Sequence, residues 1–168
     1  MKTMSHVRSS VAAMWILVLT ASLPTAFAQQ KQKALDELAR EADVVAIGRI
    51  TGLQSEWDEG KTRIFTRVSL SVDEFVKEGS ERSKDVTILT PGGEVGDVGE
   101  LYTHVPVFKK NEEVVVFLRT ADRGLYRVAA GMQGKYNIEV DPVTGERVVA
   151  GRYPVREFAE AVRQASLK

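Results

Sequence analysis

The 168-residue sequence predicts a small, mainly β domain, its strands closed into a barrel, with one helix ahead of them and one behind. Three observations carry this. Short β-branched runs recur along the chain between breaks that contain Gly, Pro or Asp. One of them, TRIFTRVSLSVDEFVK (62–77), alternates for about fifteen residues, where an ordinary strand has five or six. A strand of that length must coil, as strands do when they serve two sides of a small barrel. Helical spacing of apolar residues occurs near each end instead.

The first 28 residues read as a signal peptide rather than as part of the fold. Lys2 and Arg8 stand without any acid, VAAMWILVL follows as an apolar run, and Ala26-Phe27-Ala28 is a small-x-small cleavage site. The run falls short of the roughly 20 residues that a membrane span requires, and no second hydrophobic segment follows. The competing readings are an uncleaved anchor or a buried helix. Residues 29–168 are then expected as one exported domain, periplasmic or secreted, with no transmembrane segment. The chain has no cysteine, which excludes a lipoprotein anchor, disulfides, thiolate metal sites and a cysteine nucleophile. Without Lys2 and Arg8, 21 basic residues face 23 acidic ones, a net charge of −2. That offers no global attraction to nucleic acid or to anionic membranes.

QQKQKALDELAREAD (29–43) reads as an amphipathic helix through Ala34, Leu35, Leu38 and Ala42. VVAIGRI (44–50) is a strand that TGLQSEW can extend, and DEGK (58–61) is a hairpin turn. In the long strand, Ile64, Val68, Leu70, Val72 and Val76 share one face, and Arg63, Arg67, Ser69, Ser71 and Asp73 the other. A bulge near Asp73-Glu74 would let it bend. After the solvated loop 77–84 come the strands DVTILT (85–90), VPVF (105–108), EEVVVFLR (112–119), LYRVAA (125–130), KYNIEV (135–140) and ERVVAG (146–151). KKNE, ADRG, GMQG and DPVTG separate them. Pro154 sits where a last helix can begin, with Val155, Phe158, Val162 and Ala165 along one side.

TPGGEVGDVGE (90–100) is the stretch richest in candidate chemistry. It lacks the Lys and Ser/Thr of a phosphate-binding loop and the spacing of a dinucleotide fingerprint, and Glu94, Asp97 and Glu100 would repel phosphate. The three acids could supply oxygens to calcium, but the EF-hand spacing is missing. His104, the one histidine after residue 28, has no partner His or Cys for zinc. The plain reading is that Gly92, Gly93 and Gly96 supply positive φ angles between strands and that the acids are solvated. No cofactor or metal is therefore expected. A loop this long is still a place where function resides. It is the expected contact surface, with Gly92, Gly93, Glu94, Gly96, Asp97 and Glu100 as binding residues.

Arg63, Phe65 and Arg67 form an alternative binding face, since aromatics between cations suit single-stranded nucleic acid. Export and the net charge favour instead a solvated face with cross-strand ion pairs to Glu56 or Asp58. No G-x-S-x-G elbow, H-E-x-x-H or other catalytic motif occurs, so no catalytic residue is assigned. Trp57 is expected to pack in the core or in the hairpin rather than to bind a ligand.

The segments EADVVAIGRITGLQSEW, RIFTRVSLSVDEFVKEG, DVTILTPGGEVGDVG and NEEVVVFL resemble a group of small exported bacterial proteins without an established activity. They are more distantly similar to netrin-like domains and the amino-terminal domain of tissue inhibitors of metalloproteinases. Ala42-Asp43-Val44-Val45 matches the opening of those domains, and Phe75-Val76-Lys77-Glu78-Gly79 matches the turn ending their long strand. The resemblance spans residues 33–120 and implies an OB-like antiparallel Greek-key barrel. The inhibitors' zinc-chelating amino-terminal cysteine has no counterpart here, so their chemistry does not carry over. The expected function is a non-catalytic binding domain for a protein or cell-envelope partner. The alternatives are a hydrolase with carboxylates brought together by folding and an OB-type ligand binder.

Overall fold

A computed structural model describes residues 35–78, 83–122 and 124–167. The expected signal peptide and the start of the first helix lie outside the described residues. The chain runs α1 (35–41), β1 (Val44–Trp57), β2 (Ile64–Lys77), β3 (Asp85–Pro91), β4 (Gly93–Val95) and β5 (Val98–Glu100). It continues through β6 (Glu113–Asp122), β7 (Leu125–Val128), a 3₁₀ turn (Gly131–Gly134), β8 (Lys135–Val140), β9 (Arg147–Val149), β10 (Tyr153–Pro154) and α2 (Val155–Ser166).

Five strands close on one another in the order β1-β2-β3-β7-β6, and β6 returns to β1. All these pairings are antiparallel except β3 with β7, which is parallel. This is the connectivity of an OB-like Greek-key barrel. β6 also pairs with β8, from which β9 and β10 continue as a wing.

Val44–Gly48 and Val114–Leu118 are buried without interruption, because both faces of these strands are covered. Val44, Ala46, Val114, Val116 and Leu118 point into the barrel with Val68, Leu70, Val72 and Ile88. Val45, Ile47, Val115 and Phe117 point outward and pack against Leu38, Ala39 and Ala42 of α1 and Phe158, Ala159, Val162 and Ala165 of α2. The two helices thus dock on the barrel wall formed by β1 and β6. Pro154 precedes the first residue of α2, as expected, and Phe158 meets the ring of Tyr136 at 5.2 Å between centroids. Lys77, at the end of β2, donates to the carbonyls of Ala39 (2.9 Å) and Ala42 (2.6 Å), closing the C-terminal end of α1.

Two expectations are corrected. The long strand does not keep one face throughout: Gly48 pairs with Val72 and Ile47 with Glu74, so Asp73 is a bulge. The bulge lies where the sequence placed it, and it reverses the phase. Val68, Leu70 and Val72 face the barrel interior, whereas Val76 joins the helix-side core. The second correction is VPVF, which is not a strand. Pro106 has no N–H to give a ladder, and the segment instead carries Phe108 into the barrel core.

Candidate functional site

The stretch 90–100 folds as the end of β3 and a small hairpin, β4–β5, in which Val95 opposes Val98 across a turn at Gly96-Asp97. It lies against the far part of the β1–β2 hairpin, where Ser55 opposes Thr66. Thr66 Oγ1 donates to the carbonyl of Gly92 (2.7 Å), and that leaves the Ser55 hydroxyl to donate to Thr66 Oγ1 (3.0 Å). Gly92 has φ 91° and Gly93 φ 135°, backbone that L-residues rarely adopt. A Cβ on Gly93 would lie 2.3 Å from Thr66 Oγ1 and 2.4 Å from Ser55 Oγ. The glycine pair therefore lets the chain lie directly on the two hydroxyls. Glu100 ties down the other hairpin strand: Oε2 accepts from the Ile64 amide (3.1 Å) and from the Tyr102 hydroxyl (3.0 Å). The hydrogen bond to Glu100, together with desolvation and the nearby carboxylate charge, raises the Tyr102 phenol above its ordinary pKa.

Between this hairpin and the segment 105–108 runs a groove of about 650 Å³. Leu53, Ser55, Thr66, Val68 and Thr90 lie along it, and Leu101, Tyr102 and Val107 stand on its sides. Leu101 is 89% exposed, Val107 64% and Leu53 42%, so the rim presents unburied apolar side chains. Its far wall is held by Lys135, which donates to the Val107 carbonyl (2.7 Å), pairs with Glu112 (2.8 Å) and sits 4.9 Å from the centroid of the Phe108 ring. Glu112 also accepts from the Lys109 amide at 2.7 Å.

Of the predicted binding residues, Gly92, Gly93, Glu94 and Glu100 line the groove, while Gly96 and Asp97 form the hairpin tip outside the lining. Glu94 is exposed; Glu100 is a structural acceptor. The alternative face is elsewhere: Arg63, Phe65 and Arg67 do not line the groove. Arg67 pairs with Glu56 across the hairpin at 2.5 Å, the ion pair the sequence suggested. Asp58 accepts from the amides of Thr62 and Arg63 and from the Thr62 hydroxyl. These bonds, that hydroxyl foremost, hold its carboxyl below the usual value.

His104 is exposed at φ 68°, and its carbonyl accepts from the Met132 amide (3.1 Å). Among the described residues no three His, Asp or Glu side chains gather as metal ligands. Sequence reasoning missed Leu53, the segment 101–108 and Lys135. The one available signal was Pro106, which argues against a strand at VPVF. Among the described residues no helix is long and apolar enough to cross a membrane. No protein-family model matches the chain, and a search of the curated proteins finds no relative.

Proposed function

We propose that this chain is an exported, non-catalytic binding domain, and that the groove under the β4–β5 hairpin is its contact surface. The observation that carries the proposal is the groove itself. Its volume of about 650 Å³ suits a ligand site, and its rim leaves Leu53, Leu101 and Val107 in solvent without a covering element among the described residues. A hydrolase built on paired carboxylates finds less support, since Glu100 is committed to two donors and Asp97 stands outside the lining. Export rests on the residues of 1–28. The OB-like barrel supports a netrin-like kinship, without the inhibitors' zinc chemistry.

The test is capture of partners from native envelope extract by the wild-type domain and by a Leu101→Ser/Val107→Ser variant of matched thermal stability. A partner held by wild type and lost by the variant supports the groove. Equal capture by both places binding elsewhere on the domain. Amino-terminal sequencing of the mature protein checks export, with Gln29 expected as the first residue.

A further inference from the structure

We infer that the groove takes an extended, basic peptide segment that adds as a strand to the open edge of β1; this rests on the reading of the groove as the contact surface. β1 pairs with β2 along nearly its whole length, but its pairing with β6 ends at Arg49. Ile50 bonds to the Asn111 and Glu112 backbone, and beyond it no strand pairs with that edge among the described residues. The register with β2 shifts at Thr51, a bulge, and Gly52–Trp57 beyond it offers about 20 Å of unpaired strand edge.

Long open edges are normally blunted by proline, lysine, shortness or bulges. The other end of the sheet follows that rule: β10 has two residues, one of them Pro154. TGLQSEW contains neither Pro nor Lys, and its single charge, Glu56, is paired with Arg67. An edge guarded only by the bulge at its start, beside exposed apolar side chains, is the arrangement that β-strand addition uses. Main-chain bonds supply affinity, and alternate side chains enter a groove. Leu53 belongs to this same stretch of β1 and lines the groove.

Charge selects among such peptides. The charged residues lining the groove are Glu94 and Glu100, with no cation, and only Glu94 is exposed. Asp97 lies close by at the hairpin tip. A Lys or Arg on the incoming strand finds its counter-charge at Glu94, whereas an acidic peptide meets like charge.

A displayed library of random twelve-residue peptides, panned against the domain, tests this. Enriched peptides should alternate apolar residues and carry Lys or Arg. Their binding should slow hydrogen exchange of backbone amides within Gly52–Trp57. Leu53→Asp should weaken binding at least tenfold with an unchanged melting temperature, and Glu94→Lys should turn the library's preference toward acidic peptides. Peptides that shift groove resonances but leave the exchange of Gly52–Trp57 unaltered would overturn strand addition while leaving the groove as the contact surface. Enrichment of acidic peptides on wild type, or of none, would overturn the basic-peptide assignment. The capture experiment above judges the groove itself independently.

Discussion

Replacing Lys135 by Met removes the cation that holds the far wall of the groove while keeping the length of the side chain. Lys135 and Glu112 are 9% and 14% exposed, so their pair is almost withdrawn from water. Breaking a buried pair by deleting one partner costs about 3–5 kcal/mol. The residual exposure and the amide that still bonds Glu112 reduce this to about 2–4 kcal/mol. The loss of the Val107 bond and of the contact with the Phe108 ring falls within that range. For a domain of this size each kcal/mol lowers Tm by roughly 3–5 °C, so melting should fall by about 6–20 °C. Urea unfolding followed by circular dichroism gives the free energy directly. Adding Glu112→Gln should recover part of the loss, because the orphaned charge is removed, with a coupling of about 1–3 kcal/mol. A single-variant cost below about 1 kcal/mol, the range of an exposed pair, would refute the claim that this pair anchors the segment.

Gly93→Ala places a methyl on two hydroxyls at 2.3 and 2.4 Å and at φ 135°, whereas Gly96→Ala, at φ 61°, meets open space. The first should cost about 2–3 kcal/mol and the second about 1 kcal/mol, read by thermal melts, with only the first disturbing the Ser55 and Thr66 resonances. Lys77→Met should leave the last carbonyls of α1 without their donor, costing about 1–2 kcal/mol and speeding amide exchange near Ala42. Asp141 accepts from the Val143 and Thr144 amides, and these bonds, Thr144 first, hold its carboxyl below its ordinary value. Its folded pKa lies under the unfolded one, so its contribution is fully present above about pH 4 and is lost as pH falls through the folded value. A carboxyl NMR titration of Asp141 with a midpoint at or above that of an unstructured peptide would contradict this.

The barrel was legible because β2 carries period-two alternation and the other strands are short β-branched runs between Gly, Pro or Asp breaks, and α2 because Phe158, Val162 and Ala165 recur at helical spacing. Both are local signals that the backbone geometry imposes on any short segment. The bulge at Asp73 was also visible, but its effect on Val76 was not. Which face a residue takes after a bulge depends on the register with β1, a pairing between residues far apart in sequence. The same limit hid the groove. Gly92, Gly93, Glu94 and Glu100 were singled out from the sequence and line the groove, yet their roles differ for reasons outside the loop. Glu100 is taken by Ile64 and Tyr102, and Gly93 is required by two hydroxyls on other strands.

The sequence by itself determined the composition limits, the all-packing core without disulfides, the β-rich class and the helical ends. Only the tertiary structure decided that both helices cover the outer wall of β1 and β6, that Phe108 fills the barrel while Lys135 secures its segment, and that half of β1 has one edge unpaired among the described residues. Each of those outcomes depends on which surfaces meet when the barrel closes. Burial and pairing energies there are set by distant partners, and no local pattern of residues encodes them.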